Sequence, residues 1–252
     1  MIMHKKILIR IILFILVAIL LISACSFFNP KLPEKQYYII NYTPKSQNIP
    51  ASQRPYPFSL QIGKFEVQRI FNRQNIIYRY SPNKIQYHEL ERWAVRPDYM
   101  IKDMVFKQLA ASNLTNLVSL EFLDSRPDYR LEGTVEALEK YDAGDLFFAH
   151  LAMTFKMLDT DDGSQVWDYS FDRRKQVYSV EMVHTIIGLS SIFQTEMDIV
   201  EGQLDSLFLS LKTGVTLIPT QKSSLNKPAR ADSTDGEKLD ESAFEIIPEK
   251  KK

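Results

Sequence analysis

The chain predicts an α/β fold, a mixed, largely antiparallel sheet packed with helices in a single sandwich domain. Three observations carry that expectation. Apolar and polar residues alternate with period two before residue 90 and again, more clearly, after residue 129. Two stretches carry apolar residues at helical spacing, and the later one is long enough to cover a sheet. Composition is ordinary for a globular domain, with 45% hydrophobic and 25% charged residues among 252. Fifteen Phe, twelve Tyr and two Trp supply bulky side chains, while a single cysteine leaves no disulfide framework, so apolar packing must hold the core.

The first strand is expected at Gln36 to Tyr42, rich in Tyr and Ile. Residues 43–57 carry four prolines among Ser, Asn and Gln and read as a loop. In Phe58 to Val67, Phe58, Leu60 and Ile62 alternate with Ser59, Gln61 and Gly63, and further strands follow at Asn75–Tyr80 and Lys84–Glu89. Pro97 to Ser112 reads as a helix. Pro97 suits the first turn, Asp98 faces the positive end of the dipole, and Ile101, Met104, Val105 and Leu109 recur on one face. Asn113 supplies a stop.

A meander follows. Tyr129, Leu131, Gly133, Val135 and Ala137 take one face against Arg130, Glu132, Thr134 and Glu136. Over residues 145–158, Phe147, Ala149, Leu151, Met153, Phe155 and Met157 align, with His150, Thr154 and Lys156 opposite. A turn at Asp161-Asp162-Gly163-Ser164 leads to Val166–Phe171, where Trp167, Tyr169 and Phe171 align. Ser179 is the expected cap of the last helix, whose stripe runs from Val183 to Leu211. Gly188 and Gly202 each cost it about 1 kcal/mol relative to Ala and mark places to bend or break.

The two ends differ from this body. Lys5, Lys6 and Arg10 precede an apolar run from Ile11 to Ile22, then Ser23, Ala24 and the single Cys25. That is the order of a signal peptide over residues 1–24, and its run is shorter than the roughly 18–20 residues of a membrane-spanning helix. Residues 25–35, with two prolines, read as a tether. The domain occupies 36–212. From 213 to 252 Ser, Lys, Asp, Glu and Pro dominate, and too little apolar surface remains to offset the entropy of ordering, so this tail is expected to be disordered. Loss of the signal leaves a slight acidic excess, which argues against nucleic acid as a partner.

Ile22-Ser23-Ala24-Cys25 resembles the lipobox of bacterial lipoproteins. The resemblance implies cleavage between Ala24 and Cys25, acyl chains including palmitate on Cys25, and, with Ser26 where aspartate signals inner-membrane retention, an outer-membrane address. The plain alternative is an unpaired exported thiol.

Motifs for chemistry are scarce. The chain contains no G-x-S-x-G elbow, H-E-x-x-H pair or glycine-rich phosphate loop. His88, His150 and His184 sit in three different expected elements, and Asp159, Asp161 and Asp162 fit a hairpin turn better than a calcium loop. Neither a metal site nor a cofactor is expected, and an enzyme is disfavoured. Aromatic and basic residues concentrate instead between Ile76 and Pro97. Tyr78, Tyr87 and Trp93 read either as core aromatics or, with Arg79 and Arg92, as a partner-binding surface.

Tyr78-Arg79, Ser81-Pro82, Ile85-x-Tyr87, Arg92-Trp93-Ala94 and Pro97, between the lipobox with Tyr37-Tyr38 and the Leu131-Glu132-Gly133 strand, resemble the ABC-type transport auxiliary lipoproteins. The resemblance spans roughly residues 25–212. It departs at His88, where the family has a second aromatic, and at Arg96, where it has a proline or small residue. The resemblance implies a non-catalytic, lipid-anchored protein facing the periplasm. It would work with an MCE-domain protein and an inner-membrane ABC transporter in lipid transport, as a symmetric homo-oligomer. A lipid-carrying lipoprotein, with acyl chains held by Phe147, Phe155 and Trp167, is the alternative.

Overall fold

The computed structural model describes residues 10, 12–15, 33–44, 55–123 and 125–214. The expected cleavage and lipidation site at Ala24 and Cys25, most of the tether and the tail beyond 214 lie outside them. The elements are β1 (Gln36–Tyr38), β2 (Tyr56–Val67), β3 (Asn75–Ser81), β4 (Lys84–Trp93), α1 (Pro97–Ser112), β5 (Thr115–Ser119), β6 (Tyr129–Ala143), β7 (Leu146–Asp159), β8 (Gln165–Val177) and α2 (Met182–Thr213).

The strands form one open, eight-stranded mixed sheet centred on β6. Along one edge of β6, β7 runs antiparallel from Tyr129↔Asp159 to Ala143↔Leu146. The other edge is shared. β2 pairs parallel with the first part, from Leu60↔Tyr129 to Val67↔Val135, and β3 pairs parallel with the second, from Ile77↔Glu139 to Arg79↔Tyr141. Beyond β6 the sheet therefore forks into an arm of β2 and β5 and an arm of β3, β4 and β1. The two longest registers, β6–β7 and β7–β8, are antiparallel, as the meander pattern predicts.

Between the two halves of β6 the register with β7 slips, at Val135/Ala137. A bulge there inverts the alternation. Ala137 thus leaves the face it shares with Val135 in the sequence pattern, and Leu138 and Lys140 take the inner positions in its place. β8 pairs only with β7, and its open edge carries four successive charges, Asp172 to Lys175.

Both helices have local causes. α1 keeps the expected bounds, with Pro97 in its first turn and Asn113 left-handed at φ 53° after its end. α2 starts later than expected, at Met182, because the Ser179 hydroxyl instead accepts the Glu181 N–H and fastens the turn ahead of the helix. It then runs 32 residues without a break despite its two glycines. At Gly188 the helix lies so close to the sheet that an added Cβ would stand 2.7 Å from the Ala149 Cβ, whereas around Gly202 the space is open. Phe208, near the far end of α2, packs with Tyr56, Phe58 and Tyr129 at ring separations of 5.6–6.0 Å. Gln108 of α1 donates to Glu201 of α2 at 2.8 Å, which ties the helices together.

Strand β5 was not expected. Five residues pairing in parallel with the edge of β2 leave no periodic signature.

The two glycines should respond with opposite signs. Gly188→Val should lower stability by about 1–3 kcal/mol through overpacking, while Gly202→Ala should raise it by about 0.5–1 kcal/mol through helix propensity. Urea midpoints at unchanged slope measure both.

Candidate partner surface

The β3–β4 hairpin carries four of the five residues singled out between Tyr78 and Trp93 on its two faces, with Trp93 at its end. Side chains two apart on a strand share a face, so Tyr78 goes with Tyr80 and Arg79 with Ile77. Tyr78 is buried. Its hydroxyl donates to Glu91 at 2.8 Å, and its ring stacks between His88 and Tyr80 at 5.1 and 6.3 Å. Burial, and then the Glu91 hydrogen bond, push its pKa well above the ordinary tyrosine value.

Beside it lies Lys140 of β6, whose side chain is fully buried. The ammonium sits 4.7 Å from the Tyr78 ring and 4.8 Å from the Phe147 ring, and donates at 2.7 Å to the Val180 carbonyl. Burial lowers its pKa against the opposing pull of Asp142, 3.8 Å away, and Glu91; burial raises that of Asp142. Lys140 thereby fixes the connection between β8 and α2 to the sheet.

The opposite face carries a row of charge across four strands. Arg79 Nε donates to Glu139 Oε1 at 2.6 Å, and the same oxygen lies 2.9 Å from His150 Nδ1. His150 Nε2 is 2.9 Å from Asp172 Oδ1. Glu139 is 1% exposed. Burial works to raise its pKa, but the bonds to His150 and Arg79 outweigh that, and the carboxyl lies below its ordinary value of 4.5.

The five residues therefore have different fates. Trp93, 1% exposed, is a core residue opposite Tyr38 of β1 and takes no direct part in the surface of this chain. Tyr78 and Arg79 are framework, held by Glu91 and Glu139. Tyr87 and Arg92 are half-buried; the Arg73 guanidinium lies 4.7 Å over the Tyr87 ring, and Arg92 Nε donates to the Glu89 carbonyl at 3.1 Å. Tyr80 is exposed on the opposite face of the hairpin, with Tyr78, and was not anticipated. Nor was the Glu139–His150–Asp172 row, although adjacent Glu139 and Lys140 in mid-strand were the available sign, since charges there need partners on both faces.

The residues expected to hold acyl chains are engaged in packing. Phe155 lies against Phe65 and Phe171 at 5.9 and 6.5 Å, the Trp167 Nε1 donates to Gln203 of α2 at 3.1 Å, and Phe147 faces Lys140. In the β7–β8 turn, Asp159 and Asp162 accept backbone N–H bonds from Asp161 and Ser164, with Gly163 at φ 76°. That is hairpin chemistry.

Glu139→Gln should cost about 3 kcal/mol by leaving Arg79 without its buried charged partner. The depressed carboxyl contributes stability that is complete above the unfolded-state pKa near 4.5 and is lost as pH falls through the lower folded value. The variant should therefore lose part of the wild-type acid destabilisation below about pH 4.5, measured by urea unfolding across that range.

A family model described as the ABC-type transport auxiliary lipoprotein component matches residues 38–197, from the end of β1 into α2. No curated protein matches the chain. Among solved structures, protein XCC0632 from Xanthomonas campestris is similar, at 22% identity and a TM-score of 0.56, over 68% of this chain and 99% of that one. A second, described as an uncharacterized protein, shares 14% identity and a TM-score of 0.54 over the same shares. At these identities the two likenesses speak to the fold alone. The family match covers most of the sheet-and-helix unit, and the chain belongs to the ABC-type transport auxiliary lipoprotein component family.

Proposed function

We propose that the protein is a non-catalytic outer-membrane lipoprotein that docks an MCE-domain partner at the periplasmic face. In this reading it serves an intermembrane lipid transport system, with energy supplied by an inner-membrane ABC transporter. Family membership supports the auxiliary role. The observation that favours docking is the stiffness of the hairpin. Tyr80, Tyr87 and Arg92 stand on a strand pair braced from one side by Tyr78 and Lys140 and from the other by Arg79 and Glu139. A surface already ordered loses little side-chain entropy when a partner covers it.

Anchoring rests on Cys25. Several acyl chains there give stable attachment, since each buried CH₂ contributes about 0.8 kcal/mol and one chain alone is marginal. A partner with rotational symmetry favours a homo-oligomer on this side, in which every subunit makes the same contact. Lipid carriage by the chain itself has less support, because Phe155 is packed against Phe65 and Phe171 and Trp167 is bonded to Gln203 of α2.

Crosslinking in intact cells from a photoreactive residue at Tyr80 should capture an MCE-domain protein. Tyr87→Ala and Arg92→Ala should each weaken that capture about tenfold, as interface aromatics and arginines do at about 1.4 kcal/mol, in protein of unchanged circular dichroism. Undiminished capture in both variants would remove Tyr87 and Arg92 from the docking site, and no capture from position 80 would remove the hairpin. Cys25→Ser should accumulate as an uncleaved, unacylated precursor, read by mass spectrometry of the membrane fraction.

A further inference from the structure

The exposed apolar side chains are gathered unevenly along the sheet. β6 ends at the Gly144-Asp145 turn, and at that end β8 finishes with Val177 opposite Phe147. Leu146 and Tyr178, which continue this register, are both exposed, Tyr178 at 91%. Gly188 of α2 rests on Ala149 and Val177, so the helical residues before it lead about 9 Å, at 1.5 Å each, towards this end of the sheet. Two of them, Val183 and Ile187, are exposed on successive turns, as is Val180 just ahead of the helix. The Val180 carbonyl is held by buried Lys140, so this apolar rim is built on fixed backbone.

Chain direction aims the described residues ahead of β1 toward the same end. β3 is parallel to β6, β4 antiparallel to β3, and β1 parallel to β4. β1 therefore runs away from the rim, and the chain ahead of Gln36 approaches from the rim side. Cys25 precedes Gln36 by about ten residues, a reach of at most about 40 Å. The opposite end of the sheet is more polar, with Leu123 exposed on the loop before β6. The β7–β8 turn there presents Asp161 and Asp162, with Asp128 nearby on the loop before β6 and Arg126 paired to Asp161. At the rim the carboxylates are those of Asp145 and Glu181.

We propose that this rim, formed by Leu146, Tyr178, Val180, Val183 and Ile187, is a second membrane contact that rests on the lipid surface and sets the orientation of the domain. The inference rests on acylation of Cys25, which brings the rim side of the chain to the bilayer. Exposed apolar patches of this kind mark interfaces, and tyrosine is favoured at the boundary of lipid and water. A lipid surface is the occupant that the entry direction of the anchored chain and the polarity contrast between the two ends both favour. The domain then stands with its Asp161–Asp162 turn pointing away from the membrane, and the β3–β4 turn, at the end of a strand parallel to β6, lies on the rim side.

Site-directed spin labelling of the full mature protein in phospholipid vesicles tests this. The single native cysteine is consumed by lipid, so Tyr178→Cys, Ile187→Cys and Asp162→Cys each present one thiol, all at exposed positions. Labels at 178 and 187 should show a severalfold higher ratio of oxygen to nickel-chelate accessibility than the label at 162. Equal, water-like ratios at all three would overturn the proposal. So would labels at 178 and 187 shielded from both reagents with spectral broadening that disappears on dilution with unlabelled protein, because a second copy would then occupy the rim. Mass spectrometry of the same preparation separates the two layers of inference. An unacylated Cys25 overturns the anchored reading and the rim with it, while an acylated Cys25 with wet labels overturns the rim alone.

Discussion

Everything in this domain is arranged around the demand that one strand satisfy three neighbours. A strand has two edges, and β6 spends one on β7 and divides the other between β2 and β3. The bulge at Glu136 falls where one neighbour ends and the next begins. Because the extra residue inverts the face order, Leu138 rather than Ala137 follows Val135 on the inner face, and Lys140 comes after it there. The fork in the sheet and the placement of α1 over β2 and β5 follow from it.

The second half of β6 also explains why charge is built into the interior. Glu139 and Lys140 are neighbours in sequence but point to opposite faces, and each holds together parts of the chain far apart in sequence. Glu139 joins β3 to β7 through Arg79 and His150, and Lys140 ties the sheet to the segment that enters α2. Buried charges without partners would cost several kcal/mol each. Here they are met by guanidinium, imidazole, carbonyl and aromatic faces. Apolar contacts supply most of the stabilisation, but these bonds fix register and direction, and the hairpin and the rim inherit their positions from them.

Much of the fold was legible in the sequence because its signals are local. The bounds of α1 followed from Pro97 and Asn113, and the alternation in β7 survives residue for residue. Where the reading fell short, the cause was long-range. No local pattern distinguishes a bulge near Ala137 from continued alternation, since only the partner strands require it. β5 is specified by β2 rather than by its own residues, and the Ser179 hydroxyl serves a turn that the sequence does not separate from the helix start. The site was less legible than the fold. An aromatic such as Trp93 looks the same in a core as on a binding surface until burial is known, and the Glu139 row joins residues that are far apart in the chain.

The open edge of β8 limits how copies of this protein could meet. Four consecutive ionic side chains from Asp172 to Lys175 would have to be desolvated and matched if another β8 were to zip alongside, and an antiparallel mate would bring like signs face to face at some steps. Endless stacking of sheets into a fibre is thereby discouraged. Contacts between copies are left to side-chain surfaces and to the outer edges of β1 and β5.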